Sequence, residues 1–145
     1  MSINSRENGK NTVRTDVLRH MEEAMNAHDL DGLTDCFAED FRSELPIHPG
    51  RSFTGRERMR SNWARLFAHV PDLAARVLQS AADGDQVWSE WEIGGRTVEG
   101  EQYLSRGVAI LRLRGERIAS VRFYLDDVDI EIGDRTTQRA SRDTR

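Results

Sequence analysis

Near the C-terminal end, Ser120, Arg122, Tyr124 and Asp126 recur at every second position. That spacing places all four on one face of a β-strand. There, Asp126 is a candidate proton carrier, because a carboxyl withdrawn from water gains pKa and exchanges protons nearer neutrality. Tyr124 can donate a hydrogen bond to a carbonyl oxygen on which charge builds. Arg122 can anchor a carboxylate or enolate, although a cation beside Asp126 would lower its pKa. His48, followed by Pro49, offers a second acid/base group. Trp63, Phe67 and Trp91 are candidate walls for a flat apolar ligand. A plainer reading stands beside each of these. Asp126, Asp127 and Asp129 fit a solvated strand end, Arg122 fits a surface ion pair with Asp126, and the aromatics fit ordinary core packing.

The chain has 145 residues and a net charge of -4, with 37% hydrophobic and 32% charged side chains. This composition fits one globular domain able to bury its own core. The acidic balance argues against nucleic acid as the partner. The five arginines around residues 51–65 therefore read as a solvated helix face. Cys36 is the single cysteine, which excludes an internal disulfide, and its apolar neighbourhood reads as a small buried hydrophobe. No cluster of His, Cys and carboxylates has ligand spacing and no glycine-rich phosphate loop occurs, so neither metal nor cofactor is expected. No apolar run approaches the roughly 20 residues of a membrane span and no signal peptide is visible, so a cytoplasmic protein without membrane contact is expected.

The elements that would position these residues follow from periodicity. Residues 1–10 and 133–145 are polar and read as flexible tails around one domain at 11–132. A helix is expected from about Thr12 to Ala27, with Val13, Val17, Met21, Ala24 and Met25 on one stripe. Asp29 caps a short second helix carrying Leu30, Leu33, Cys36 and Phe37. Phe41 to Ile47 reads as a strand. Thr54 to Glu57 has a capping-box pattern and opens a third helix with the stripe Met59, Trp63, Leu66, Phe67 and Val70, stopped by Pro71. The period then changes to two. Strands are expected at Ala75–Ala81, Gln86–Ile93, Gln102–Arg114 and Arg117–Asp126, separated by short turns. Helices followed by a run of strands imply an α+β domain with the helices on one face of an antiparallel sheet.

Ser105, Gly107 and Ala109 leave a hollow on one sheet face, to be filled by a helix side chain or a ligand. The opposite face, with Arg106, Val108, Ile110, Arg112, Val121 and Phe123, is too apolar for solvent and too charged for a core. It suits a homodimer interface.

The segments NAHDLDGLTDCFAEDF, IHPG, FTGRERMRSNWARLFAHVPDL, ADGDQVWSEWEIGG, SRGVAILRLRGERI and VRFYLDD, in this order and spacing, resemble the SnoaL-like polyketide cyclases. These belong to the nuclear transport factor 2-like superfamily, with ketosteroid isomerase, scytalone dehydratase and limonene epoxide hydrolase. The resemblance spans about Val13 to Ile130. It implies a cone of about three N-terminal helices on a curved antiparallel sheet enclosing an apolar pocket.

In the cyclases a carboxylate near the end of the last strand is the general acid/base, usually with an aromatic four positions before it. Asp126 matches the carboxylate, while Arg122 departs from the aromatic. His48-Pro49 is close to the family's H-x-P. The Arg and Asp of the epoxide hydrolases are absent, since Trp91 and Ile93 stand at their positions. The trio of ketosteroid isomerase, an Asp base with Tyr and protonated Asp donors, has no match.

The resemblance thus implies cofactor-free proton transfer next to a carbonyl (cyclisation, isomerisation or dehydration) on an apolar, polyketide-like metabolite. Asp126 would move the proton, Tyr124 or His48 would stabilise the oxyanion, and Trp63, Trp91, Phe67 and Arg122 would bind substrate. The alternatives are a non-catalytic binding module and a structural dimerisation domain.

Overall fold

The computed structural model describes residues 16–129. The expected tails, and residues 12–15 of the first expected helix, lie outside the described residues. Helix α1 occupies residues 16–27, and α2 follows at Leu30–Asp35. Asp29 caps α2 as expected, its Oδ1 accepting from the Gly32 N–H at 3.0 Å. Cys36 ends that helix, and Phe37 already belongs to strand β1, Phe37–Glu44. After a 3₁₀ turn at Pro49–Arg51 and the two-residue strand β2, Phe53–Thr54, comes helix α3, Arg56–His69. A meander then closes the domain: β3 Ala74–Asp83, β4 Gln86–Arg96, β5 Gln102–Arg114 and β6 Arg117–Asp127.

Gly55, not Thr54, is the N-cap of α3, and no side chain caps it. The chain leaves β2 at a φ of 108°, a conformation that glycine adopts without strain, so Thr54 stays in the strand and the capping box does not form.

The sheet order is β2-β1-β6-β5-β4-β3. All pairs are antiparallel except β1 with β6, which run parallel, with Glu44 opposite Arg122. The fully antiparallel sheet expected from the sequence is therefore a mixed one. Hairpin turns force antiparallel pairing along the meander, whereas β1 reaches β6 only through a long connection containing α3.

The helices cover one side of the sheet. Val17, Leu18, Met21, Ala24 and Met25 of α1, Leu33 of α2, and Met59 and Val70 join Phe37, Phe41, Val87, Trp91, Leu111, Ile118 and Val121 in one core. Side chains of α1 also protect the free edge of the sheet. Asn26 bonds both the N–H and the C=O of Ala75, and Glu22 accepts from the Val77 N–H at 2.6 Å.

Candidate functional site

Alternation along a strand is local, but which faces of two strands coincide depends on register. Beyond the Gly115-Glu116 turn, Arg114 pairs with Arg117 and Leu113 with Ile118. The next pair is Arg112 with Ser120, so Ala119 is an extra residue in β6. This bulge reverses the parity of the rest of the strand. Gly107 then stands opposite Leu125, and Ala109 opposite Phe123. Without the bulge they would face Tyr124 and Arg122.

The consequence is a correction of the expected site. Ser105, Gly107, Ala109 and Leu111 share the inner side with Val121, Phe123 and Leu125. Arg122, Tyr124 and Asp126 lie on the outer side with Arg106, Val108 and Ile110. Asp126 is not enclosed by an apolar pocket, since its side chain is 64% exposed. Its pKa is lowered rather than raised, chiefly by the hydrogen bond from His48 and secondarily by the Asp127 N–H. Arg122 pairs with Glu44, Nε to Oε2 at 3.5 Å, and its guanidinium lies 5.9 Å from the Tyr124 ring centroid. The expected dimer surface divides in the same way. Val121 and Phe123 belong to the inner side, while Arg106, Val108, Ile110 and Arg112 remain outside.

The hollow over Ser105, Gly107 and Ala109 has another origin. A Cβ on Gly107 would lie 2.1 Å from the Tyr124 carbonyl oxygen. Glycine is required there because β6 approaches too closely, at a backbone φ of 150°. Trp91 stands opposite Gly107 on the inner side and is 2% exposed. Its Nε1–H donates to Ser89 Oγ at 2.9 Å, and that hydroxyl donates to the Ala109 carbonyl. Trp91 is therefore a satisfied core residue.

The structure does bring together two of the expected residues. His48 Nε2 lies 3.0 Å from Asp126 Oδ2. The imidazole comes from the loop after β1, and the carboxylate from the end of β6. Parallel pairing of β1 and β6 makes their C-terminal ends neighbours, which is why the two groups meet. With Nε2–H donating to the carboxylate, Nδ1 carries the lone pair.

Burial along the inner side falls toward this same end of the sheet. Leu111, Leu113, Ile118 and Val121 are buried, whereas Tyr103, Phe123 and Leu125 are only half-buried. On α3, Trp63, Leu66 and Phe67 are half-buried as well. The Trp63 and Phe67 rings lie 5.5 Å apart, and Phe67 stacks on His28 at 4.6 Å. Several core side chains are thus less deeply buried toward the end of the sheet where the His48–Asp126 pair lies.

Sequence reasoning missed Tyr103 and Asp127. Both fall on the inner side by register, since Asp127 is opposite Ser105. The Tyr103 phenol is raised above its usual pKa, mainly by burial and further by the charge of Asp127. Asp127 also has an aromatic residue, Phe123, four positions before it, the spacing that Asp126 and Arg122 do not satisfy. That spacing was the signal that could have found it.

Two surface clefts lie elsewhere. One lies between α1, α2 and the β5–β6 turn, and includes His20, Cys36, Arg56 and Arg117. The other lies beside Asn26, His28 and residues 71–76. Neither is lined by His48, Asp126, Trp63, Leu66 or Phe67. Cys36 is an inert thiol, its pKa raised to about 11 by burial and by Asp35. Among the described residues no group of three or more His, Cys, Asp or Glu could hold a metal ion, and no helix is long and apolar enough to cross a membrane.

Helices packed on one side of a mixed six-stranded sheet define the nuclear transport factor 2-like class of α+β fold. The SnoaL-like domain family matches residues 17–121, and the chain belongs to that family. Among solved structures, the chain is similar to a loop-truncation variant of IdmH, with 27% identity, 77% of this chain and 91% of that chain covered, and a TM-score of 0.66. A protein of Catenulispora acidiphila with a ketosteroid isomerase-like fold, in complex with trimethylamine, gives 24% identity, coverage of 74% and 84%, and a TM-score of 0.65. An LEH-like epoxide hydrolase of M. tuberculosis gives 17% identity, coverage of 79% and 84%, and a TM-score of 0.68. No curated protein matches the chain.

Proposed function

We propose that this protein is a cofactor-free enzyme that moves a proton next to a carbonyl group of a small apolar metabolite, with His48 as the acid/base group. The observation that carries this reading is the 3.0 Å contact between His48 Nε2 and Asp126 Oδ2, where the loop after β1 meets the end of β6. A carboxylate that accepts from one imidazole nitrogen orients the ring and fixes which nitrogen carries the lone pair. Nδ1 then takes a proton from carbon and returns it elsewhere on the substrate, which is the chemistry of isomerisation, dehydration or aldol-type cyclisation. Asp126 acts through His48 and is a positioning residue, because its lowered pKa makes it a weak base at neutral pH. The half-buried Trp63 and Phe67 are proposed to bind the apolar part of the substrate.

Hydrogen–deuterium exchange tests this reading. Enolisable aromatic ketones such as 1-tetralone, incubated in D2O, are followed by NMR at the carbon next to the carbonyl. The wild-type protein is expected to accelerate exchange, and His48→Gln is expected to abolish the acceleration. Equal exchange by both proteins overturns the assignment of His48. Ketone binding with no exchange in either favours the alternative, a non-catalytic binding module.

The outer face is proposed to pair two copies of the chain. At its centre lie Trp88, Val108, Ile110 and Tyr124, with Trp88 48% exposed. Around them Arg76 and Arg106 pair with Glu92, Arg122 with Glu44, and Arg112 with Asp85. Charges already paired within one chain surround an apolar centre that a two-fold axis can double onto itself.

A further inference from the structure

Strand β3 is an edge of the sheet, paired only with β4. Such an edge presents backbone N–H and C=O groups that another strand can take up. Side chains of α1 guard its first half. Asn26 holds both polar groups of Ala75, and Glu22 holds the N–H of Val77. The register then slips at Leu78, since Val77 stands opposite Trp91 but Gln79 opposite Glu90. Alternate residues of β4, from Gly94 through Glu92 and Glu90 to Trp88 and Gln86, bond to β3 throughout. Beyond the slip their partners are Gln79, Ala81 and Asp83. Ser80 and Ala82 lie between these, so their N–H and C=O groups turn away from β4.

The guard does not extend to them. Among the described residues, none bonds to the main chain of Ser80 or Ala82 from beyond the edge. Residues 78–83 are exposed throughout, so neither face of the sheet is covered here. Edges are commonly protected by charged side chains, by proline or by a bulge. Leu78-Gln79-Ser80-Ala81-Ala82 contains no charge and no proline, and the bulge precedes the outward-facing residues.

We propose that this edge pairs with the same edge of a second copy of the chain, antiparallel and about a two-fold axis through Ala81. Three features select a second copy. The axis sets Ser80 opposite the other copy's Ala82, so each outward-facing residue meets one with the same unpaired groups, and each such pair exchanges both bonds. The neutral stretch meets itself without like-charge repulsion, and the nearest charge, Asp83, falls opposite Gln79. With both faces bare, no helix of either copy stands between strands that must approach to about 4.8 Å. The contact uses the edge of the sheet and is independent of the outer-face pairing proposed above. So short a ladder buries less surface than a stable dimer needs, which sets a Kd of about 0.1–1 mM.

Amide hydrogen exchange, read by NMR on the full chain, tests the proposal. Trp88→Arg is the background, so that outer-face pairing does not contribute. The Ser80 and Ala82 amides are expected to exchange about two- to fivefold more slowly at about 1 mM than at about 20 µM, while exposed loop amides do not change. Ser80→Pro removes one outward N–H, a change tolerated on an edge, and is expected to abolish the concentration dependence at Ala82. Ala81→Lys leaves the backbone intact, sets like charges directly opposite each other across the axis, and is expected to abolish it at both amides. Circular dichroism melts check that both variants fold. Fast exchange at every concentration means that the edge stays unpaired. Slow exchange even at the lowest concentration means that the chain covers its own edge. Either result overturns the proposal, as does a concentration dependence that survives Ala81→Lys.

Discussion

His48 Nε2 and Asp126 Oδ2 are 3.0 Å apart, although 78 residues separate them in the chain. The contact exists because β1 and β6 lie side by side and run in the same direction, so the loop after one reaches the end of the other. The division of labour between the two residues sets an order of effects. His48→Gln is expected to reduce turnover about 10²- to 10⁴-fold, the usual contribution of a positioned acid/base group. Asp126→Asn is expected to reduce it less, because an amide oxygen still accepts from Nε2–H. Steady-state rates with any substrate found by the exchange assay decide this. A greater loss in Asp126→Asn than in His48→Gln would return the proton to the carboxylate.

The same contact has a signature in titration. The hydrogen bond from His48 holds the Asp126 pKa below its usual value. Its contribution to stability is therefore present above the unfolded-state pKa of about 3.9 and is lost as pH falls through the lower folded-state value. Because the pair is exposed, the contribution is expected to stay below about 1 kcal/mol. Carbon-detected NMR of the carboxyl should show Asp126 titrating low in wild type, and moving back toward the ordinary value in His48→Gln. An unmoved Asp126 would remove the hydrogen bond as the cause.

Gly107→Ala is expected to be severely destabilising. The added Cβ would lie 2.1 Å from the Tyr124 carbonyl oxygen and 2.7 Å from the Leu125 Cα, both backbone atoms that cannot rotate away. A loss of about 3 kcal/mol or more in urea unfolding is expected, from strain and broken β5–β6 pairing. Gly50→Ala, whose new Cβ meets nothing within 4 Å, is the control. A near-neutral Gly107→Ala would mean that the small residue serves the ligand space and not the strand approach.

Trp88→Arg should convert the proposed dimer to a monomer in light scattering. The exposed indole lies at the centre of the outer face, opposite Ile110 in register, and a two-fold axis would place the new cations near each other. Phe123→Ala, on the inner side, should leave the oligomeric state unchanged. The reverse pattern would place the interface elsewhere.

Periodicity in the sequence determined the element types, because helical and extended chains repeat their apolar side chains at different spacings and each segment carries its own record. The stripe Met59, Trp63, Leu66, Phe67 and Val70, the Asp29 cap and the four strands of the meander could all be read locally. The tertiary structure alone decided which faces coincide. Ala119 is one extra residue in β6, and it moves Asp126, Tyr124 and Arg122 from the inner side to the outer. Nothing in Ala119 itself demands a bulge. What favours it is burial of Ile118, Val121, Phe123 and Leu125 together against Leu111, Ala109 and the helices, a sum over contacts from distant segments. The pairing of His48 with Asp126 is of the same kind. Each residue alone fits a solvated surface, and they became a candidate site only when the crossover through α3 set β1 parallel to β6.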